Sequence, residues 1–401
     1  MDYAITGVTV HGGGSEPVDG GGSEPVDDCT ILVEDGRIAG IGTGLSADDA
    51  PRVHHLQGCH VTPGIVDAHC HVGVFNEGTG EAGMDGNDYS DPITPEIRSL
   101  DGIYTDDEAF EDARASGITT LGIAPGSANV IGGQIAAMKT GGNIVEEMTI
   151  SDYVGLKCAF GENPKRVYGA KGKMPTTRMG VAAKLRMALM EAALYGRRKA
   201  HHLSKPLKEG ESRPPFKTDY RNEVILRVLR REVPMRAHAH RADDIQSAVR
   251  VAEEFGVDLV VEHCTEGHLI ADYLAEKGIP VIIGPLDTSK TKVELRNATI
   301  DGAGRLEEAG VSFALMTDAP VKKIGSLLDD VRNCVRHGVS RRAALAAVTE
   351  VPARIMGLAD RIGSLRPGSD ADMAVFEGDP FDFMSRVRTT LVDGVPVHGE
   401  L

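Results

Sequence analysis

The stretch VTPGIVDAHCHVGVF, residues 61–75, decides both the fold and the chemistry of this 401-residue chain. An apolar run, typical of a buried strand, leads directly into His69 and His71. Side chains at positions i and i+2 of a strand point to the same face, so both imidazoles can bind one ion. A single pair of histidines is weak evidence, because such pairs also occur by chance. The interpretation therefore depends on matching ligands elsewhere in the chain.

Three later apolar runs also end in or beside a residue of a type that can bind metals. PMRAHAH contains His238, LVVEHC contains His263, and FALMTD ends in Asp318. Each residue taken alone is more often structural. If the strands form a barrel, however, their carboxyl ends meet at one rim, where active sites of such barrels lie. Together these residues predict a metal centre formed by His69, His71, His238, His263 and Asp318.

The segment from Val61 to about Leu358 alternates short apolar runs with helical stretches. One example is ADDIQSAVRVAEEFG, residues 242–256, which has apolar residues at helical spacing and ends in Gly. Repeated strand–helix units favour a parallel α/β architecture, either a barrel or a doubly wound sheet. No GxGxxG turn follows an early strand, which weakens the dinucleotide-binding alternative. We assign residues 61–359 to this α/β domain.

Both ends of the chain are typical of short strands and turns. ILVEDGRIAGIG predicts a hairpin around Asp35 and Gly36, and the tail after residue 360 returns to the same pattern. We therefore predict a small discontinuous β domain from residues 1–60 and 360–401. The sequence GGGSEPVD occurs at 12–19 and again at 20–27, and its composition indicates a flexible surface loop without a function of its own.

Composition excludes several classes of function. There are 43 Lys and Arg residues against 59 Asp and Glu, a formal charge of -16, which argues against a general nucleic-acid binder. No window is apolar enough for a membrane span, and the N-terminus lacks a secretory signal. The six cysteines form no CxxC pair, so we expect reduced thiols and a cytoplasmic protein.

The motifs PGIVDAHCH, AHAH, VEHC, MTDAP and GSLRPGSDADMAVF, in this order, resemble the amidohydrolase superfamily, in its imidazolonepropionase-related branch. The resemblance covers nearly the whole chain. It implies a TIM-like (β/α)₈ barrel with a small discontinuous β-sandwich domain built from both termini. It also implies metal-dependent hydrolysis of a C–N bond in a small molecule, such as an amide, a cyclic amide or a peptide-like bond.

The family usually supplies one more ligand, which bridges two metals, from the fourth strand. YVGLKCAFGENPKRVYG offers Lys157, which would need to be carboxylated, and Glu162. Five residues of strand span roughly 16 Å, so only one of the two can lie at the rim. The position after the apolar run favours Glu162, with Lys157 as the alternative. By resemblance, His240 lies beside the ligands and orients them. Ala319 departs from relatives that have His after the ligating Asp.

The ligand types predict the mechanism. Imidazoles and carboxylates suit one or two divalent ions, Zn²⁺ first, with Mn²⁺, Fe²⁺ or Co²⁺ as alternatives. Asp318 would accept a proton from the attacking water and deliver it to the leaving nitrogen. A metal ion, or a donor such as Tyr168 or Arg166, would polarise the carbonyl group. We expect a small anionic substrate, gripped by Arg166, Arg178 or Arg241, and a homo-oligomer is the general expectation for such enzymes.

Two other functions compete with this interpretation. The first is an aminohydrolase (deaminase). By resemblance, aminohydrolases of the superfamily typically have a Glu three residues after the fifth-strand His, and Arg241 occupies that position here, which argues against deamination. A non-enzymatic assembly protein built on the same barrel would be expected to lose metal ligands, whereas this chain has them all. Metal analysis of the purified protein separates the enzymes from the assembly protein.

Overall fold

The structure is a computed structural model that describes residues 1–12, 24–207 and 212–401. It contains two eight-stranded sheets. Most of the GGGSEPVD repeat lies outside the described residues, so its assignment as a loop stays a prediction. Val26 and Asp27, the last residues of the second copy, begin a strand.

The chain passes once from the small sheet to the barrel sheet and returns once to the small sheet. Five come first and belong to the small sheet, the next eight form the barrel, and the last three return to the small sheet. In chain order they are β1 (Tyr3–Val10), β2 (Val26–Glu34), β3 (Arg37–Thr43), β4 (Val53–His55), β5 (His60–Pro63), β6 (Ile65–Cys70), β7 (Ile118–Ile123), β8 (Ile131–Lys139), β9 (Thr149–Ala159), β10 (Met235–Ala239), β11 (Leu259–His263), β12 (Val281–Ile283), β13 (Phe313–Leu315), β14 (Met373–Glu377), β15 (Arg386–Val392) and β16 (Val395–His398).

The α-helices follow or connect the barrel strands. They are α1 (Glu108–Ala115), α2 (Val145–Met148), α3 (Glu162–Gly169), α4 (Arg178–Ser204), α5 (Tyr220–Leu229), α6 (Ala242–Phe255), α7 (Ala271–Lys277), α8 (Gly302–Glu308), α9 (Leu327–Arg336), α10 (Arg341–Ala346) and α11 (Glu350–Ile355). Helix α6 matches the predicted stretch 242–256 and ends at Gly256, whose φ of 64° gives the left-handed cap that glycine favours. None of the described helices has the length and apolarity needed to cross a bilayer.

The small sheet is built from both termini, as predicted. Its main path runs β16-β15-β14-β5-β1-β2-β3, and β4 pairs with β1. Strands β2 and β3 form the predicted hairpin, in which Glu34 pairs with Arg37 across Asp35 and Gly36. Both turn residues have positive φ, 48° and 71°, the conformation that a two-residue hairpin turn with the correct twist requires. The chain leaves this sheet at Gly64 and enters the barrel at Ile65.

The barrel sheet runs in chain order from β6 to β13. Seven of its strands are parallel, whereas β8 is antiparallel to both β7 and β9. The TIM-like fold is confirmed, but a strand takes the place of one expected helix crossover. Only the short segment 124–130 separates β7 from β8, and a parallel crossover needs a dozen or more residues, so the chain can only return antiparallel.

Lys139, at the end of β8, fastens the barrel to the small sheet. Its ammonium nitrogen lies 3.1 Å from Asp370, 2.5 Å from Asp372 and 3.1 Å from Asp393. Lys139, Asp370 and Asp372 are buried, and burial raises the pKa of Asp372 to about 6 even beside the lysine. One cation therefore holds two buried carboxylates in the region where the two sheets meet.

We expect Lys139→Met to lower the free energy of unfolding by about 3–5 kcal/mol, because it leaves the buried Asp372 carboxylate without its cation, whereas Asp370 keeps its pair with Arg361. The Asp372 carboxyl has a higher pKa in the folded state than in the unfolded state, so its ionisation opposes folding. This unfavourable contribution disappears as the pH falls through the folded-state pKa. The deficit in the free energy of unfolding of Lys139→Met relative to the wild type, measured by urea denaturation, should therefore become smaller between about pH 8 and about pH 5. Lys277→Met, which removes an exposed pair with Glu253, is the control and should change little. A deficit that does not depend on pH would contradict this account.

Candidate metal centre

The first group of ligating side chains joins the two strands at the closure of the barrel. His69 and His71 lie at the end of β6, and Asp318 follows β13. The Nε2 atoms of both imidazoles lie 3.2 Å from Asp318 Oδ1. All three side chains are buried. The structure thus brings together three of the predicted ligands as one set of two imidazoles and one carboxylate.

The second group contains His238, His240 and His263, whose ligating atoms also lie within 4.8 Å of one another. His238 belongs to β10 and His240 follows it, so the two share a face by the i, i+2 rule that also applies to His69 and His71. The rings of His240 and His263 are 4.4 Å apart. The sequence predicted His240 as an orienting neighbour, whereas the structure places it within a group able to ligate.

Hydrogen bonds on the far side of several rings direct a free nitrogen into the site. Nδ1 of His71 lies 2.7 Å from the Ala124 carbonyl oxygen, and Nδ1 of His263 lies 2.9 Å from that of Gly284. Nδ1 of His240 lies 2.7 Å from the Thr265 hydroxyl, and its Nε2 is buried without a hydrogen-bond partner. A carbonyl oxygen can only accept a hydrogen bond, so it fixes the tautomer of His71 and His263 and leaves their Nε2 lone pairs for a metal, whereas the Thr265 hydroxyl can act as donor or acceptor.

Protonation states in the second group and at Asp318 also fit a divalent cation, whereas at His69 the carboxylates of Glu262 and Asp318 overcome the lowering effect of burial and raise the pKa. Burial lowers the pKa of His238 and His240 well below the ordinary value and that of His263 to about 3, so these imidazoles are neutral, the form that binds metals. Although burial acts to raise the pKa of Asp318, the imidazoles of His263, His69 and His71 hold it well below its usual range. Neutral imidazoles and an ionised carboxylate are the ligands that Zn²⁺ and related ions take.

Three residues at or next to the ends of ligand-bearing strands have a left-handed backbone conformation. His263, Cys264 and Asp318 have φ values of 66°, 48° and 55°. Residues with side chains rarely adopt this left-handed region, and such conformations cost about 1–3 kcal/mol each. Strain of this kind is typical of functional sites, where the surrounding structure maintains it to aim a side chain.

Beneath the ligands lies a buried carboxylate that sequence reasoning missed. Glu262 is fully buried; its carboxylate lies 3.0 Å from His69 Nδ1 and 2.7 Å from Arg236 Nη2, and it also pairs with Lys157. These partners hold the pKa of Glu262 well below its ordinary value despite burial. The signal was available in LVVEHC, because a charged residue inside an apolar strand needs partners.

The structure places the two proposed bridging residues differently from the prediction. Lys157 lies inside the barrel, with its Nζ 3.4 Å from His69 Nε2. Glu162 belongs to neither ligand group; it begins α3, where its backbone amide donates to Glu294. The sequence argument located the Cα atoms along the strand and omitted side-chain length. A lysine that starts deeper in the barrel reaches His69, so the structure gives a reason to prefer Lys157 to Glu162.

Three of the four predicted substrate-binding residues are engaged with the protein itself. Arg178 Nε lies 2.9 Å from Asp244, and its Nη2 lies 2.8 Å from Glu294. Arg241 forms a two-fold hydrogen bond with Asp243. The hydroxyl of buried Tyr168 lies 2.6 Å from Asn129 Oδ1 and 2.8 Å from the Asp91 carbonyl oxygen.

A cavity of about 1040 Å³ opens above the ligands. Of the four predicted substrate-binding residues, only Arg166 lines it, one turn after Asn163, which also lines it. Asn163 Nδ2 lies 3.4 Å from His238 Nε2. The cavity reaches His71, His238, His240, His263 and Asp318, so a bound small molecule can contact both ligand groups.

Fold and ligand groups together define a metal-dependent hydrolase of the barrel class. The chain belongs to the amidohydrolase family, whose model matches residues 60–397. The structure of an amidohydrolase from Thermotoga maritima MSB8 is similar, with 42% identity, a TM-score of 0.92 and full coverage of both chains. The amidohydrolase tasK of Hapsidospora irregularis is 28% identical over 91% of this chain, which spans 39% of its length. An imidazolonepropionase from Cupriavidus necator is 24% identical, over 88% of this chain and 85% of its own.

If Arg178 is a structural residue, Arg178→Met should lower the free energy of unfolding by about 2 kcal/mol, allowing for its partial exposure. It would remove the cation shared by two buried carboxylates, Asp244 and Glu294. Arg241→Met is the matched control, because its partner Asp243 is exposed, and it should change little. Equal effects of the two substitutions in denaturant titrations would contradict this assignment.

Proposed function

We propose that the protein hydrolyses a C–N bond of an amide, cyclic amide or peptide-like small molecule with the help of one or two divalent metal ions, zinc first among them. One observation carries the proposal: two adjoining groups of metal-binding side chains open into one cavity. His69 and His263 join the groups, since their ring centroids are 5.7 Å apart. The cavity volume suits a small molecule.

The residues of the chain would have different roles in binding the ions and in proton transfer. His69, His71 and Asp318 would hold one ion, and His238, His263 and His240 would hold the other. A bound divalent ion supplies Lewis-acid chemistry, which lowers the pKa of water and polarises a carbonyl group. Asp318 is placed to accept the proton of the attacking water and to return it to the departing nitrogen. Asn163 lines the same cavity, and its amide nitrogen donates to the Ser127 hydroxyl at 2.8 Å.

We further propose that Lys157, and not Glu162, supplies the bridging ligand. A lysine ammonium cannot bind a cation. Its neutral amine can instead add to CO₂, forming the N–C bond of a carbamate and releasing one proton. The position of Lys157 beside His69 supports this role. Glu262 and Arg236 would remain paired with each other after the reaction.

Metal content tests this assignment. We expect the wild-type protein to hold two equivalents of metal per chain, and Lys157→Met to hold one or fewer. Glu162→Gln should retain both, since Glu162 lies outside the two ligand groups. Plasma mass spectrometry of dialysed protein measures the content, and circular dichroism confirms that each variant is folded. Loss of metal from Glu162→Gln alone would restore the original preference.

The reaction itself can be tested by screening N-acyl amino acids, dipeptides and cyclic amides with the metal-loaded enzyme. On the best substrate, Asp318→Asn should lower kcat by about 10²–10⁴, the usual contribution of a general acid–base group. Asparagine preserves an oxygen ligand, so metal content should be measured in parallel. Unchanged kcat in metal-loaded Asp318→Asn would refute the role of Asp318, and no hydrolysis across the panel would count against the proposed function.

A further inference from the structure

The cavity has one wall that the metal chemistry does not explain. The segment 284–292, which follows β12, lines it continuously. Apart from the ligand groups, the charged side chains that line the cavity are Arg166 on α3 and Asp287, Lys290 and Lys292 on this segment. The cavity lining therefore has three cations and one anion outside the ligand groups, although the whole chain has a formal charge of -16.

Among these cations, Lys292 is the most buried, and in the described part of the chain no carboxylate lies close enough to balance its charge well. Its side chain is 25% exposed, and its nearest carboxylate among the described residues is Glu294, at 4.0 Å. An ammonium group has three donors, and burying it without close partners is costly. Burial accordingly lowers the pKa of Lys292, although Glu294, Glu162 and Asp318 act in the opposite direction.

The other two cations differ from Lys292 in their surroundings. Lys290 Nζ donates to the Arg296 carbonyl oxygen at 2.9 Å, so one of its donors is already used within its own loop. Arg166 is exposed on α3, where water competes with any ligand for its guanidinium group. Lys292 is thus the cation that gains most from an anionic ligand.

The loop that bears Lys292 is held in place by an adjoining buried residue. Glu294 is buried, and its Oε1 accepts a hydrogen bond from the Glu162 backbone amide at 2.7 Å and from Arg178 at 2.8 Å. Arg178 in turn pairs with Asp244 on α6. The loop is thereby fixed against three helices, and Lys292 is presented from a rigid support, as a specific binding residue requires.

Lys292 also lines the same cavity as His238, His240, His263 and Asp318. A group bound by Lys292 would therefore share this cavity with the reacting bond. The apolar part of such a ligand can pack on Leu286 and Leu295, which line the same wall.

We infer that Lys292 binds a carboxylate group of the substrate, so that the enzyme acts on small molecules that carry a carboxylate near the scissile C–N bond. This inference rests on the proposed function for the identity of the reaction. It replaces the arginines expected from the sequence by a lysine on the loop after β12. Binding of the carboxylate can be tested without catalysis.

The test uses matched pairs, a set of N-acetyl amino acids and their carboxamides, which differ only in the charge at the probed position. Calorimetry measures their binding to the metal-free protein, and kinetics measures their hydrolysis by the metal-loaded enzyme. We expect the wild type to bind the acids at least about tenfold more tightly than the carboxamides. Lys292→Met should weaken binding of the acids about 10- to 100-fold, as expected for a hydrogen bond to a charged group. Binding of the carboxamides should stay within about threefold.

Two further variants make the result specific. Lys292→Arg keeps the positive charge and should retain most of the preference for acids. Lys290→Met removes a cation from the same loop and should alter the preference by less than about threefold, because Lys290 is held by Arg296.

The outcomes distinguish this inference from the proposed function. Equal binding of acids and carboxamides by the wild type, an unchanged preference in Lys292→Met, or no binding by any pair would overturn the role of Lys292. A preference that Lys292→Met abolishes, in a protein that hydrolyses none of the panel, would support the carboxylate site and count against the proposed reaction.

Discussion

The carboxylate of Asp67 joins the first and last strands of the barrel, and the position of the first ligand group depends on it. Asp67 accepts hydrogen bonds from the backbone amides of His69 and Thr317, each at 3.0 Å, and from the Thr317 hydroxyl at 2.6 Å. Backbone bonds continue the junction, since His71 donates to Ala319 at 2.8 Å and Asp318 donates to His69 at 3.3 Å. The two histidines and Asp318 thus come together because the barrel closes there. Burial raises the pKa of Asp67 to about 6, so this closure includes a titratable group.

A second constraint acts one layer below the ligands. Placing Glu262, Arg236 and Lys157 inside the barrel is costly, since each buried charge loses its hydration. Their mutual pairing offsets that cost, and the Glu262 carboxylate also lies 3.0 Å from His69 Nδ1. The barrel interior beneath the metal centre is therefore polar and paired, whereas the surrounding core is apolar.

Most of the fold could be predicted from the sequence because strong local patterns specify it. The hairpin at Asp35 and Gly36, the helix over 242–256 and the strand ends that bear ligands all follow from periodicity and turn chemistry. Strand β8 was missed because its sequence, IGGQIAAMK, contains two glycines and small residues that have weak strand propensity. A completely buried strand also lacks the alternation of polar and apolar residues that reveals a half-exposed one.

The differences at the site have a different physical origin. The preference for Glu162 over Lys157 compared positions along a strand, whereas the structure shows that the longer Lys157 side chain reaches His69. Arg178 was assigned to the substrate because its partners, Asp244 and Glu294, are remote in the sequence and become neighbours only through the fold. Pairing of charges across elements is a tertiary property that no local pattern contains.

These differences show that local sequence patterns predict some residues of the site, whereas tertiary contacts determine the others. The metal ligands lie at strand ends, and the strands must pair in register, so an HxH motif and a strand-terminal Asp predict their own convergence. The charged part of the cavity lining comes instead from α3 and from the loop after β12, whose positions depend on anchors such as Glu294. The same division explains how an acidic protein can present a cationic wall. Salt screens the field of the distant carboxylates beyond about 8 Å, so the few charges lining the cavity determine which ligand it accepts.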